Sequence, residues 1–440
     1  MVCIADVFEL AHGPTLAVCQ LDPRRTCLVQ SRHEARDPVT APAMFFNPFD
    51  PAVRADPYPH YRDLRERIPV HRTPIGSVVV TRYDDVARTL RGAGFSRDIE
   101  ANATEGMRID RRDPTQAKSL LQLDPPDHTR LRRLATAPFT PRAIDRLRPS
   151  IEAFVDAGLD RMAADGGGDL VDLVAFPVPF AVISAMLDIP TDRAAELRHW
   201  SLTLTAGIEP MATPDELAAA ADASAAMRVF LTDVITQRRG NLGDDILSGL
   251  ISAEESGDRL STEELVSLVL LLYVAGHETT VNLIGNSALA LIGDPEQLGV
   301  WRADPSIGPG AVDELMRHQG PVHMTARVAI EATSFPDVDG NPVDVKPGTV
   351  VTCLLASADR DPAMFEDPDR LDLRRPDANR HLGFSAGAHY CLGASLARKE
   401  AEVALARLFQ RFDRVDLDGE PVRNDRLTLR GLASLPLSVG

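Results

Sequence analysis

One long helical pattern, residues 261–293, constrains the fold of this chain more than any other stretch. Ser261 and Glu264 have capping-box spacing, and the pattern stops at Gly293, ahead of Asp294 and Pro295. With a rise of about 1.5 Å per residue, such a helix is roughly 45 Å long and can cross a whole domain. Its apolar run, 265–276, is interrupted by Ser267 and is too short to span a bilayer. We therefore predict a large domain built around this helix, with no membrane anchor.

Helical patterns also dominate the rest of the chain. They predict helices over 142–164, 191–205, 214–239 and 392–411, and short β-rich segments over 76–82, 326–330 and 349–355. The polar residues 96–120 predict a long irregular loop, and residues 1–43, which show no clear period, predict a poorly ordered N-terminal extension. The expected fold is mainly α with small β-sheets, forming a single domain over 44–440.

Charge and cysteine content exclude several classes of protein. The formal charge of −17 over 440 residues argues against nucleic-acid binding as the main role, because that role needs a dominant basic face. The five cysteines, at 3, 19, 27, 353 and 391, are far apart and form no Cys-x-x-Cys pair, so neither a disulfide framework nor a four-cysteine zinc site is indicated. The N-terminus is a poor signal peptide, and we expect a cytoplasmic protein.

The segment GFSAGAHYCLG, residues 383–393, places one cysteine among glycines just before a helix. A helix N-terminus favours the thiolate, which is the form of cysteine that binds metals. Gly387 and Gly393 allow a tight turn and close approach to a flat partner, and Phe384 can shield the sulfur. The pattern therefore suggests a loop that presents Cys391 to a large planar metal complex. A buried structural cysteine, or a nucleophile with His389 as its base, are the alternatives.

Three motifs occur in the order found in one family: AGHETT at 275–280, Glu314-x-x-Arg317 and the cysteine segment. With them, residues 45–440 resemble the cytochrome P450 family of thiolate-haem monooxygenases. The resemblance implies that haem b lies between the long central helix and the helix after Cys391. It also implies that Cys391 is the proximal iron ligand, whose electron donation favours O–O cleavage.

The resemblance assigns roles along the long helix. The Thr279 hydroxyl can bond to the carbonyl of Ala275, loosening a turn so that dioxygen fits beside Gly276, while Glu278 helps to bring protons from solvent. The alternative is a packed threonine next to a solvated acid. Glu314 and Arg317, which alone would suggest a surface pair, are implied to be structural, tying their helix to the segment before the haem loop.

The same resemblance indicates partners for the haem propionates. His128 and Arg132 are four residues apart, on one face of the helix that Asp124-Pro-Pro opens. Together with Arg327 and His389 they match positions that hold propionates in family members, the alternative for each being a solvated charge. At position 325 some relatives carry an acid near a propionate, whereas this chain has Thr325.

By resemblance, an apolar, methionine-rich pocket receives the substrate. It would suit a macrolide, polyketide, terpenoid or steroid, and His323 would be either a polar handle or a packing residue. The expected lining is Met107, Ile109, Leu204, Ile208, Met211, Leu271, Leu272, Ala275, Val322, His323 and Met324.

Electrons must come from another protein, because the chain has no Gly-x-Gly-x-x-Gly unit for a flavin or a nicotinamide. The resemblance implies an acidic ferredoxin, served by a reductase that uses NADH or NADPH. Arg130, Arg133, Arg398 and Lys399 would form its basic docking patch, the alternative being scattered solvated charges. Two other functions are a peroxide-driven peroxygenase, disfavoured by the retained Glu278–Thr279 pair, and a non-catalytic haem sensor.

Overall fold

A computed structural model describes residues 46–107, 116–210, 212–255 and 260–440 of this mainly helical protein. The α-helices are α1 Pro51–Ala55, α2 Pro57–Arg67, α3 Tyr83–Arg91, α4 Ile99–Asn102, α5 Asp127–Thr136, α6 Pro141–Asp145, α7 Arg148–Asp165, α8 Pro177–Leu187, α9 Ala194–Ala206, α10 Pro214–Arg239, α11 Ile246–Glu255, α12 Thr262–Gly293, α13 Pro295–Ala303, α14 Gly308–Gln319, α15 Leu355–Ala358 and α16 Ala394–Arg411. The strands are β1 Val70–Arg72, β2 Val78–Val80, β3 Phe95–Ser96, β4 Gly167–Asp169, β5 Met324–Ala329, β6 Thr333–Pro336, β7 Pro342–Val345, β8 Val350–Leu354, β9 Val415–Leu417, β10 Val422–Arg423, β11 Leu432–Ser434 and β12 Pro436–Val439.

Helix α12 is the central element, and its predicted start is confirmed. The Ser261 hydroxyl accepts a hydrogen bond from the Glu264 N–H, and the Glu264 carboxylate accepts one from the Ser261 N–H. The helix packs against α8, α10, α14 and α16. By length and composition α12 could cross a membrane, but two-thirds of its most apolar window is buried within the fold. It is therefore the core helix of the domain.

The largest sheet in the described residues has the strand order β1-β2-β8-β5-β3. Strands β2 and β8 are parallel, whereas β5 is antiparallel to both of its neighbours. The β5–β8 register pairs Thr325 with Cys353 and Arg327 with Val351. On its other side β5 pairs with β3, with Phe95 opposite Ala329 and Ser96 opposite Val328.

The structure divides one predicted helix. Residues 142–164 form two helices, α6 and α7, interrupted at Arg146 and Leu147. Pro149 explains the interruption, because it has no N–H to bond to the Asp145 carbonyl and its ring would clash with that carbonyl in a continuous helix. The predicted loop over 96–120 begins with β3, α4 and a short 3₁₀ turn, Glu105–Met107. Residues 108–115 and the predicted extension 1–43 lie outside the described residues.

Candidate active site

The cysteine segment folds as a tight loop ahead of α16. The Cys391 N–H donates to the Phe384 carbonyl at 2.9 Å, which closes the loop around a 3₁₀ turn at 387–389. Gly387 has φ +70°, and a Cβ there would lie 2.7 Å from the Leu90 carbonyl oxygen, so only glycine allows the loop to approach α3 this closely. Phe384 is buried, with the Arg398 guanidinium 4.6 Å from its ring centre. Around Gly393 a Cβ would meet no atom within 4 Å, so its approach to a flat partner stays a prediction.

The surroundings of the Cys391 sulfur shift the pKa of its thiol in two opposite directions. Burial among the loop atoms raises the pKa of the thiol, although the residue keeps exposed surface. The Gly393 N–H, which bonds to the sulfur, and the positive charges of Arg132 and Arg398 lower it. This donor and these charges would stabilise the thiolate once it is formed. Burial has the larger effect and the pKa of the thiol is raised overall, so these groups reduce the cost of forming the thiolate that would bind a metal.

The AGHETT segment lies in the middle of α12. The Thr279 hydroxyl donates to the Ala275 carbonyl at 3.0 Å, as predicted. The helix stays continuous here, so this bond does not break it. At Gly276 a Cβ would lie 3.0 Å from Ile183, and the glycine therefore permits close packing of α8; its role beside dioxygen stays a prediction. Ala275, by contrast, keeps exposed surface within this mostly buried helix.

Glu278, next to Thr279, is buried and held by an arginine that sequence reasoning missed. Arg426 donates to the Glu278 carboxylate at 3.3 Å, to the Thr205 hydroxyl at 2.7 Å and to the Leu202 carbonyl at 2.8 Å. Burial raises the pKa of Glu278, while the nearby Arg426 charge lowers it. Arg426 lies about 150 residues away in the sequence, and no local pattern joins it to α12.

His277 has a predictable effect on acid stability. Its ring is fully buried among Phe176, Phe180 and Tyr273, and burial lowers its pKa from 6.5 to about 4. Between pH 6.5 and about 4, the unfolded chain therefore carries a proton on this histidine that the folded chain lacks. The free energy of unfolding should fall as the pH drops through this window, by about 2 kcal/mol at pH 5. We expect His277→Asn to reduce the loss of unfolding free energy between pH 7 and pH 5 by about this amount in urea titrations.

The exposed His199 is the matched control for this prediction. We expect His199→Asn to leave the pH dependence unchanged. An unchanged pH dependence in His277→Asn would mean that His277 does not titrate in this window.

The structure brings the predicted propionate partners together. The rings of His128 and His389 lie 4.2 Å apart, and the Nε2 atom of each is buried without a hydrogen-bond partner among the described residues. Arg327 is 3% exposed and bonds to the Ala326 carbonyl, while Arg132 bonds to the Tyr390 carbonyl in the cysteine loop. Unsatisfied imidazole nitrogens near one buried guanidinium group, that of Arg327, and one half-buried group, that of Arg132, form a donor set that fits the carboxylates of a haem.

Glu314 and Arg317 form a buried ion pair in α14, not a surface pair. Both side chains are fully buried, and the Arg317 guanidinium donates to both Glu314 oxygens, at 2.6 and 2.8 Å. It also donates to the carbonyls of Asp359, Pro368 and Arg370. The pair thus fastens α14 to the segment leading into the cysteine loop, in agreement with a structural role.

The predicted pocket residues separate into two environments. Ile208 and Met324 line a cavity of about 30 Å³ together with Ile75, Ser77, Pro210, Thr325, Ala326, Val350, Thr352 and Thr428. His323 instead packs in the core, with its ring 5.6 Å from that of Tyr58 and its Nδ1 3.3 Å from the Tyr61 hydroxyl. This burial favours the packing alternative.

The other predicted lining residues do not border this cavity. Leu272 is buried in the main core, Leu204 and Leu271 pack against it, Val322 packs on a second core cluster, and the Met107 sulfur meets the Val350 N–H. Ile109 and Met211 lie outside the described residues.

A carboxylate that sequence reasoning missed fixes one wall of the cavity. Glu209 is buried next to Ile208 and Pro210, and its carboxylate accepts hydrogen bonds from the N–H groups of Leu427, Thr428 and Leu429 at 2.9 to 3.0 Å. The connection after α9 is therefore tied to the C-terminal segment.

The predicted basic docking patch is largely neutralised within the chain. Arg130 pairs with Glu264, Arg398 with Asp313, and Lys399 with Glu402. Arg133 is exposed. A charge with an intramolecular partner attracts an acidic protein less strongly, so most of these residues do not form the free basic surface that we expected.

Comparisons with known proteins agree with this geometry. The family model described as "Cytochrome P450" matches residues 60–298 and 309–438. The chain is 40% identical to the cytochrome P450 monooxygenase PikC of Streptomyces venezuelae, over 87% of this chain and 91% of that protein. It is 38% identical to a vitamin D(3) 25-hydroxylase of Pseudonocardia autotrophica, over 88% and 94%. The crystal structure of Mycobacterium smegmatis CYP164A2 superimposes with a TM-score of 0.81 at 39% identity, covering 89% of this chain and 98% of that one.

Proposed function

The chain belongs to the cytochrome P450 family and is an oxidoreductase of the monooxygenase class, and on this premise we propose what it oxidises and with which partners. It inserts one oxygen atom from O2 into a C–H bond or a double bond of a hydrophobic small molecule. When bound, haem b supplies the redox chemistry that reduces and splits O2. The residues that would hold the haem are Cys391, His128, Arg132, Arg327, His389 and Phe384.

The observation that carries this proposal is the adjacent alcohol and acid in the middle of α12. The Thr279 hydroxyl proton points to the Ala275 carbonyl, so its oxygen can accept a hydrogen bond from a proton donor. Glu278 is buried, and its raised pKa suits a group that binds and releases protons. Arg426 holds the Glu278 carboxylate in place and, through Thr205 and Leu202, fastens the end of α9 to α12.

The substrate we propose is a large apolar molecule of the macrolide, polyketide, terpenoid or steroid class. The cavity beside Ile208 and Met324, at about 30 Å³, has room for a water molecule or two and not for such a substrate, so the proposal rests on the similarity to known proteins and not on this cavity. The similarity to a vitamin D(3) 25-hydroxylase supports a substrate of this kind.

A ferredoxin, reduced by an NAD(P)H-dependent reductase, is the electron donor we propose, in the cytoplasm. The P450 family model covers most of the chain, and the sequence carries no nucleotide-binding glycine motif. We therefore propose that a separate redox protein supplies the electrons. Because three of the four cations in the expected docking patch have internal acid partners, we assign no docking face.

Thr279→Ala tests the proposed chemistry. A compound library is first screened for ligands that change the haem optical spectrum, and turnover is then measured with a surrogate ferredoxin and reductase. Without the hydroxyl, proton delivery is misdirected, so the ratio of product formed to NAD(P)H oxidised should fall about ten-fold or more while hydrogen peroxide accumulates.

Thr279→Ser is the matched control, because it keeps the hydroxyl, and it should stay close to the parent ratio. Equal coupling in the alanine variant would reject the proton-delivery role. If hydrogen peroxide supports turnover as fast as ferredoxin does, the protein is a peroxygenase. If library ligands bind but no product forms, it is a haem sensor.

A further inference from the structure

Two arginines face each other at the edge of the main sheet, and only one of them was a predicted site residue. The register of β3 and β5 pairs Phe95 with Ala329 and Ser96 with Val328, so the next residue, Arg97, comes opposite Arg327. The Nη1 atoms of both arginines donate to the Ala326 carbonyl oxygen, at 2.7 and 2.9 Å. Since both contact one oxygen, these two nitrogens are at most 5.6 Å apart.

Like charges opposite each other on neighbouring strands destabilise a sheet, and they do so more strongly away from water. Arg327 is buried and Arg97 is half-buried. Burial, together with a smaller effect of the Arg327 charge, lowers the pKa of Arg97 to about 9. The pair therefore needs nearby negative charge.

The described residues, which leave out 108–115, supply little of this negative charge. Asp124 is the acid that acts on both arginines, and its carboxylate accepts hydrogen bonds from the Arg97 N–H and the Ser96 hydroxyl. The neighbouring Cys353 thiol is neutral, because burial raises its pKa to about 12. Within the described part of the chain, one carboxylate thus faces two guanidinium groups.

The two arginines belong to the same cluster as the unsatisfied histidines. The charges of Arg327, Arg97 and Arg132 all act on the His389 ring, so these side chains lie near one another. His389 lies against His128, and both Nε2 atoms are buried without a partner among the described residues. Positive charge and free donors therefore converge at one place, which suits a ligand with two carboxylates.

We propose that Arg97 binds a haem carboxylate together with Arg327, as an additional cofactor-binding residue. This inference rests on the proposed function, which requires haem. The two propionates would supply the negative charge that the arginine pair lacks. In this arrangement Arg97 donates one N–H to the Ala326 carbonyl and uses its remaining donors for the carboxylate.

The test compares the parent holoenzyme with Arg97→Gln, Arg97→Lys and Arg88→Gln. Arg88 is the matched control, because it is an exposed arginine that donates to a backbone carbonyl, that of Ser334. Haem loss is followed as transfer to excess apomyoglobin, and the propionate bending band is recorded by resonance Raman spectroscopy. Losing a charged hydrogen bond should accelerate haem loss in Arg97→Gln by about ten-fold or more and shift the band.

The lysine variant should show a smaller change in both measurements, because it keeps the charge but not the planar donor group. Arg88→Gln should match the parent. An unshifted band in Arg97→Gln would overturn the proposal even if haem is lost faster, since a purely structural role changes only retention. If Arg97→Gln does not fold, the position of the propionate bending band in Arg97→Lys decides whether the proposal stands. A parent without a thiolate-haem spectrum would instead reject the proposed function.

Discussion

Replacing Cys391 by serine will abolish the long-wavelength Soret band that the reduced, carbon monoxide-bound protein should show. That band requires a thiolate ligand, and a serine hydroxyl does not ionise near neutral pH to replace it. The Gly393 N–H and the charges of Arg132 and Arg398 act on this one sulfur. We expect complete loss of the band together with loss of monooxygenase activity, measured by difference spectroscopy on the purified protein.

Cys353→Ala is the matched control. Cys353 is the other cysteine among the described residues, is fully buried in β8, and has a pKa that burial raises to about 12. It cannot replace Cys391 as a thiolate, and its loss should leave the band in place. A thiolate band that persists in Cys391→Ser would refute the ligand assignment.

Replacing Arg317 by alanine should lower the free energy of unfolding by about 3 to 5 kcal/mol, the usual cost of removing one partner of a buried ion pair. The change leaves Glu314 buried with Arg375 and the Asp372 N–H as its partners among the described residues, and three carbonyls lose a donor. These carbonyls lie in the segment before the cysteine loop, so haem retention should fall as well. Urea unfolding and the haem content of the purified protein are the two measurements.

Arg62→Ala is a control from the same region. Arg62 pairs with Asp369 at 2.6 Å, but the two side chains are 49% and 35% exposed, and such a solvated pair contributes about 1 kcal/mol or less. A loss in Arg317→Ala no larger than in Arg62→Ala would contradict the structural role of the buried pair.

Local sequence patterns predicted the structure correctly where the interacting residues are close together in the chain. The capping box at Ser261 and the bond from Thr279 to Ala275 join residues three or four positions apart, so helix geometry alone dictates them. Pro149 could also have been recognised from its neighbours as the break between α6 and α7. Helix α8 was missed, because it is apolar on nearly every side and so has no helical period.

The sequence by itself determined the family, the cysteine that serves as the candidate ligand and the acid–alcohol pair, because short motifs with fixed spacing carry all three. Only the tertiary structure decided which distant side chains complete the site. Arg426 reaches Glu278, Glu209 binds the C-terminal segment, and Arg97 comes opposite Arg327 across a strand pair. The tertiary structure also decided which side chains are buried. Glu314 and Arg317 have the spacing of an exposed pair but are enclosed by carbonyls from residues 359–370. Strand register and helix packing bring these groups together, and neither leaves a local pattern in the chain.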